Sequence, residues 1–380
     1  MTMRAAASAG GVRSALQRPW ARLAAVLLVL LLAVGVPRTL SLWSASDPAI
    51  STDELLQLIS GAEELPYSGY VEAEGSLGLP PASPFSEFVT VSSGPSRLRV
   101  WWQDTATWRI DRLEPLGGGA LYHEGDSTIS WNAESLEATR THDGLALIPQ
   151  TVDLLPPRLA AWSLHGSDTA DISRLPPSQV AGIEAAGLRI TPTGEQGTIQ
   201  HVDVWADPDT GLPLRVQIWG ADPVPAVDTR FVDIEFASPS EEVTTFQPPQ
   251  GVYLSAGGGL AGHIPGVYRS VTLAGLPLLP GHATEPVTRY GSGLTQLLVI
   301  ALDEDVAESL RQRLAADPAA VVDSRGTWLS AGPLHLLLTP CVGRTASWLL
   351  TGTVNDDTLL RAVRTVRTKT WEVSPTERSC

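Results

Sequence analysis

Three spacings in this 380-residue chain carry residue types that do chemistry elsewhere, and none is complete. Gly257-x-Gly259-x-x-Gly262 has the glycine spacing of a dinucleotide-binding turn and follows the strand-like Tyr253-Leu254-Ser255-Ala256. It runs into His263-Ile264-Pro265, which denies it the helix whose N-terminus would hold a pyrophosphate, so the segment reads as linker. Asp207-x-Asp209-x-Gly211 opens like a calcium loop, but the third acid and the distal glutamate are missing. Asp and Gly at those positions are also what a hairpin turn requires. Cys341 follows His335, but Pro340 breaks the strand register that would bring them to one face. A buried structural thiol or a disulfide with Cys380 fits better than a nucleophile.

The seven histidines have no metal-ligand spacing, and neither Gly-x-Ser-x-Gly nor His-Glu-x-x-His occurs. The only lysine, Lys369, sits in Thr368-Lys369-Thr370, which excludes a Walker-type phosphate loop. The pattern of acids and bases gives no catalytic set, so the expectation is a non-enzymatic protein without cofactor or metal. Twelve tryptophans are the unusual feature. They fill a core and sheet edges, or they line a wide apolar ligand cavity.

Charge separates the chain into two parts. Arg4, Arg13, Arg18, Arg22 and Arg38 lie in residues 1–46, which hold no acid, so the remaining 21 basic residues face all 41 acidic ones. An acidic body lacks the basic footprint of a nucleic-acid binder. Leu23 to Val36, LAAVLLVLLLAVGV, is a charge-free run of 14 residues with arginines before it. That length suits a signal-peptide core and is short for a spanning helix, which needs ~20 residues. Residues 1–46 are therefore expected to be a cytoplasmic N-terminus with a signal or anchor segment, cleaved or retained. The body then lies on the extracytoplasmic face of the cell membrane.

The elements that position any site follow from periodicity. Ser51 or Thr52, with Glu54, caps a short helix carrying Leu55, Leu56, Leu58 and Ile59. A weak, proline-bounded helical stretch occupies 151–165. From Tyr67 to Phe246 the period is two. His201–Ala206, the turn Asp207–Gly211 and Leu214–Trp219 form a hairpin whose apolar face holds Val202, Val204, Leu214, Val216 and Ile218. Leu98, Val100, Trp102, Trp108 and Ile110 make the matching face earlier in the chain. So much sheet with so little helix predicts a curved antiparallel sheet around a cavity lined by these ten side chains. Residues 251–289 read as a Gly/Pro-rich linker. Residues 290–370 read β-α-β-β-β-α, a smaller α+β domain, and 371–380 as a flexible tail. The last helix places Arg361, Arg364 and Arg367 on one flank. They complement the helix dipole or form a docking strip for an acidic partner.

At this level the residues resemble a family. Trp108-Arg109-Ile110-Asp111, followed by Tyr122-His123-Glu124-Gly125-Asp126-Ser127-Thr128-Ile129-Ser130-Trp131, looks like the LolA/LppX-type lipoprotein-binding superfamily. Val180-Ala181-Gly182, Gly187-Leu188-Arg189-Ile190-Thr191-Pro192, and Val204-Trp205-Ala206-Asp207-Pro208-Asp209-Thr210-Gly211-Leu212-Pro213-Leu214-Arg215-Val216 are similar to its RseB (MucB)-like branch. Tyr290–Leu294 and Trp348–Val354 look like that branch's second domain. Two positions depart from the pattern: Ile183 stands where an arginine is common, and Thr198-Ile199-Gln200 replaces Arg-Tyr-Gly.

The resemblance implies a mainly β, LolA-like half-barrel over 47–250 with plugging helices, plus the smaller C-terminal domain. It implies a lipid or acylated lipoprotein in the cavity and regulation of an anti-sigma-factor partner at the membrane. A LolA/LppX-like lipid carrier without signalling is the alternative. A family arginine closes the cavity against its lid, and Arg99 and Arg109 are the candidates here. An alkaline phosphatase fusion after residue 60 is expected to be active; an inactive fusion would overturn the arginine-based orientation.

Overall fold

The computed structural model describes residues 50–77, 94–114, 118–142, 150–165, 172–257, 264, 267–279, 287–341 and 347–368. The leader and the 371–380 tail lie outside the described residues, as does most of the stretch between 258 and 286. The described residues form one compact unit.

Twelve strands make the larger sheet. In chain order they begin with β1 (Tyr67–Gly75), β2 (Pro95–Asp104), β3 (Thr107–Arg112), β4 (Gly119–Glu124), β5 (Ser127–Asn132) and β6 (Glu137–His142). They continue with β7 (Ile172–Val180), β8 (Ile183–Ile190), β9 (His201–Ala206), β10 (Pro213–Trp219), β11 (Val227–Glu235) and β12 (Leu254–Ala256). Their lateral order is β12-β6-β5-β4-β3-β2-β1-β11-β10-β9-β8-β7. Pairing is antiparallel except where β12 runs parallel to β6. The sheet curls without closing into a barrel, as expected. Burial alternates along the strands, for example in β1 and β5, so one face is apolar and one is polar.

Short helical segments cover the apolar face. They are α1 (Thr52–Gly61), a 3-10 turn (Ala62–Glu64), a second 3-10 turn (Thr151–Leu154) and α2 (Pro156–Leu164). Ser51 caps α1 by accepting from the Glu54 N–H at 3.2 Å. Pro156 and Pro157 open α2, where the missing N–H groups have no intrahelical role. Leu55 and Ile59 of α1 pack with Leu159 and Ala160 of α2 on Val202, Val204, Val216 and Ile218. Ala62, Val152 and Leu155 pack on Leu98, Val100, Trp102 and Ile110. A single turn, α3 (Glu241–Thr244), follows β11.

The smaller lobe begins earlier than its strand pattern suggests. β13 (Thr272–Leu273) and β14 (Leu276–Pro277) form a ribbon inside the stretch read as linker. Tyr268, Leu273 and Leu276 from that stretch are buried in the lobe's core, and Thr288 donates to the Tyr268 carbonyl. Its sheet has the order β15-β16-β20-β19-β18-β17. The strands are β15 (Thr288–Ser292), β16 (Thr295–Leu302), β17 (Val321–Asp323), β18 (Gly326–Ala331), β19 (Leu334–Leu338) and β20 (Ser347–Gly352). The edge strands β15 and β17 add to the expected pattern. Two helices, α4 (Glu304–Ala315) and α5 (Asp356–Thr368), lie on opposite faces. Ala307, Leu310 and Leu314 of α4 meet Ile300, Leu302 and Leu338. Leu359, Ala362 and Val366 of α5 meet Leu297, Val299 and Leu350. Burial on both faces explains the unbroken apolar run of β16.

The turn between β9 and β10 keys the sheet to α1. Gly211 sits at φ +77°, and a Cβ there would lie 2.4 Å from the Leu58 Cβ, 2.5 Å from its carbonyl carbon and 2.8 Å from the Ile59 nitrogen. Gly182, between β7 and β8, has φ +82° with nothing within 4 Å of a built Cβ. Gly182→Ala should therefore cost only ~1–2 kcal/mol for the left-handed backbone. Gly211→Ala should cost at least ~2 kcal/mol more, because helix backbone must move. Equal denaturation midpoints for the two variants would show that the turn does not key α1.

Candidate functional site

The expected cavity residues share one face. Val100 pairs with Ile110 and Trp102 with Trp108 across β2 and β3. Val204 pairs with Val216 and Val202 with Ile218 across β9 and β10. All ten, with Leu98 and Leu214, are buried, none more than 7 % exposed. They form two patches of one concave wall, under the 3-10 turns and under α1 and α2. The expected cavity lined by these ten is therefore corrected: among the described residues the helical segments pack directly on them, so the wall is a core rather than a lining. A hollow of about 190 Å³ lies elsewhere, lined by Gln179, Val180, Ala181, Arg215, Arg230, Phe231 and Val232, none of them among the ten.

A row of rings crosses this wall. Tyr67 stacks on Trp102 with centroids 6.0 Å apart, Trp102 on Trp108 at 5.9 Å and Trp108 on His123 at 4.9 Å, all within 8° of parallel. Phe231 meets Tyr67 edge-on at 5.4 Å. The row follows cross-strand register from β1 through β2 and β3 to β4, while Phe231 of β11 pairs in register with Val71. Sequence reading found Trp102 and Trp108, which flank one hairpin. It missed Tyr67, His123 and Phe231, whose neighbours are set by long-range pairing.

Polar groups at the wall are few. The Trp102 indole donates to the Glu63 carbonyl at 2.8 Å, and Thr229 donates to the Leu154 carbonyl at 2.7 Å. Arg158 on α2 donates to the Glu63 carboxylate at 2.8 Å, linking α2 to the first 3-10 turn. The Tyr67 hydroxyl and the Arg158 Nε are buried with no hydrogen-bond partner. Burial pushes the Tyr67 hydroxyl far above the ordinary tyrosine value; Arg158 pulls it down and Glu63 pushes it up, both by less. The hydroxyl therefore keeps its proton and is a donor throughout the physiological range.

Arg99 and Arg109 do not reach the helical cover. They alternate with Leu98, Val100, Trp108 and Ile110, so period two turns them to the outer face. There Arg99 lies over Tyr70 at 4.3 Å and over Trp101 at 5.3 Å. Arg109 lies over Trp101 and Tyr122, both at 4.8 Å, pairs with Asp111 at 2.7 Å and donates to the Val243 carbonyl of α3. The expected lid contact is replaced by this outer stack. On α5, Arg361 bonds Asp357 and, at 3.0 Å, the Thr358 hydroxyl. Arg364 is exposed, and the Arg367 side chain lies outside the described residues. Cys341 is disulfide-bonded, which removes a free thiol from it. Among the described residues no cluster of three or more His, Cys, Asp or Glu side chains is arranged for a metal, and no helix is long and apolar enough to cross a membrane.

The two lobes are tied through the loop before β9. Thr198 N–H donates to the Thr353 carbonyl at 3.1 Å, and Asn355 N–H to the Gln196 carbonyl at 2.8 Å. The Asn355 side chain donates to the Glu195 carbonyl at 2.9 Å, and Gln196 donates to Ala274 and Thr358, both at 3.1 Å.

No family profile and no curated protein matches the sequence. Among solved structures the chain is similar to MucB, at 16% identity over 82% of this chain and 96% of that chain, with a TM-score of 0.47. It is similar to the MucA/MucB complex of Pseudomonas aeruginosa, at 16% identity over 81% and 95%, with a TM-score of 0.46. A LolA superfamily protein from Nitrosomonas europaea is similar at 12% identity over 52% and 99%, with a TM-score of 0.25.

Proposed function

We propose that the chain is a non-enzymatic, extracytoplasmic sensor at the membrane. It takes a lipid or acylated lipoprotein against its concave wall and modulates an anti-sigma-factor partner. The observation that carries this is the wall itself: a continuous apolar surface on a curled sheet, covered only by short, separate segments. Each wall side chain is worth ~1.5–3 kcal/mol when taken out of water. The few hydrogen bonds between cover and wall are worth ~0.5–1.5 kcal/mol each. Apolar contact therefore holds the cover down, and an acyl chain offers the wall the same contact when α1 and α2 lift. A carrier reading uses the same wall. The second lobe favours the sensor, because its tie runs from the loop before β9 to Asn355, which caps α5 by accepting from the Thr358 N–H. The two lobes then serve as a lipid lobe built on the larger sheet and a partner lobe that starts with Tyr268 and ends with α5.

Native mass spectrometry after mild detergent extraction should show bound lipid, and a fluorescent fatty-acid probe should bind and be displaced by it. Neither adduct nor saturable probe binding would sink the lipid reading. The triple change Arg361→Ala, Arg364→Ala and Arg367→Ala should leave the fold and probe binding unchanged while weakening capture of the anti-sigma partner at low salt. Undiminished capture by the folded triple variant would remove the docking role of this helix.

A further inference from the structure

The larger sheet parts between β10 and β11. These strands pair only from Arg215 with Arg230 to Ile218 with Val227, while β11 continues against β1 as far as Glu235. On the side away from β1, Phe231–Glu235 therefore present strand backbone that no described strand uses. Two irregularities mark the parting. Leu214 is the extra residue where β10 shifts register against β9, and Val232 is the extra residue where β11 shifts against β1. Such bulges bend a strand and end pairing. The hollow of about 190 Å³ lies at this point, with Phe231 and Val232 of β11 and Val180 and Ala181 of the β7–β8 turn in its walls. We propose that β11 takes an extended segment of a partner protein as an added strand, with one apolar side chain seated in the hollow and basic side chains facing Asp233 and Glu235.

Size and charge decide the occupant. The hollow is smaller than the ~300–1,000 Å³ of a small-molecule site and suits a single side chain. Val180 and Phe231 belong to the apolar core, so that side chain is apolar. Arg215 and Arg230 also line the hollow, but Asp228 at 2.6 Å and Glu72 at 3.3 Å already balance them. No cation is left over for a carboxylate. Asp233 and Glu235 differ: both are exposed, and neither has an ion-pair partner among the described residues. Two residues apart in a strand, they share a face. Opposite charges across paired strands stabilise and like charges destabilise. A second copy of this chain would bring the same acids to the edge, and charges of this kind keep edges from pairing with themselves. Lysine or arginine at alternating positions of a partner segment meets both acids. In strand addition the backbone bonds give affinity and the alternate side chains give specificity. This site goes beyond the lipid and anti-sigma readings and depends on neither.

The test uses the full chain in non-ionic detergent at low salt and three fluorescein-labelled, end-capped peptides read by anisotropy. The basic peptide alternates lysine and threonine with leucine at each end. Its acidic twin has glutamate for lysine, and its block twin keeps the composition but gathers the lysines together. The basic peptide should bind saturably, and both twins about tenfold more weakly. Amide exchange at Phe231–Glu235 should slow when it binds. The double change Asp233→Lys and Glu235→Lys should invert the preference between the basic and acidic peptides. Glu134→Lys with Glu137→Lys makes the same charge change at other exposed positions and should leave binding as in the wild-type chain. Ala181 already holds φ +50° with a side chain, so Ala181→Leu fills the hollow without a new backbone demand. It should weaken the basic peptide while the unfolding temperature stays the same. No saturable binding of the basic peptide, binding indifferent to the reversal at 233 and 235, or protection confined to other strands would each overturn the added strand. Each would leave the lipid reading standing. Undiminished binding to the folded Ala181→Leu variant would overturn the seat in the hollow.

Discussion

An apolar face on a sheet that curls without closing must be covered from the inside, and the cover in this chain is made of pieces too short to be stable alone. Helices below ~12–15 residues are marginal in water, and α1 runs only from Thr52 to Gly61, α2 from Pro156 to Leu164. They keep their shape because Leu55, Ile59, Leu159 and Ala160 sit on the wall. The wall in turn stays dry because they sit there. Gly211 sets the approach of α1, since the Leu58 backbone occupies the space of a side chain at that turn. Arg158 and Glu63 set α2 against the first 3-10 turn. Cover and wall are therefore one cooperative layer, and losing the contacts of one segment loosens its neighbour.

The second lobe has the opposite character. Its sheet is covered on both faces, by α4 on one and by α5 with Tyr268 on the other. A layer packed on both sides has little room to change. It meets the curled sheet through backbone bonds at Gln196 and Thr198, next to the loop that feeds β9. Asn355 takes part in that tie and also caps α5. The loop and the helix N-terminus are thus joined directly by hydrogen bonds to main-chain carbonyls.

Local patterning made much of this legible. Ser51 with Glu54 marked α1, the Asp207–Gly211 turn marked the β9–β10 hairpin, and alternation picked out all ten wall residues. What stayed hidden was register between distant segments. Tyr67 gains its stack because it pairs with Trp102 across β1 and β2, and nothing near residue 67 reports residue 102 or residue 231. Arg158 lay in a proline-bounded stretch that read as weak helix. The 251–289 segment was misread because Gly and Pro dominate its composition and mask Tyr268, Leu273 and Leu276, whose burial is tertiary. Arg99 and Arg109 face outward, as their alternation with Leu98, Val100 and Ile110 already requires, and not toward the cover that the resemblance implies.

The basic side chains of the chain are arginines but for Lys369, and the outer face uses what distinguishes them. A planar, weakly hydrated guanidinium lies flat on a ring where an ammonium would stay hydrated. Arg215 lies over Trp205 at 5.4 Å while its other edge binds Asp228 at 2.6 Å, and Arg109 combines rings with Asp111 in the same way. Exposed pairs such as Arg97 with Glu72 add little, because water screens them. The Arg109 and Arg215 guanidinium groups thus have both their rings and their acids in place and hold no unmet demand for a partner. On the concave side polar atoms are few, and the Tyr67 hydroxyl and Arg158 Nε are donors without acceptors, as is the Trp219 indole on the outer face. Low polarity on the inner face therefore raises the cost of each donor left without an acceptor there.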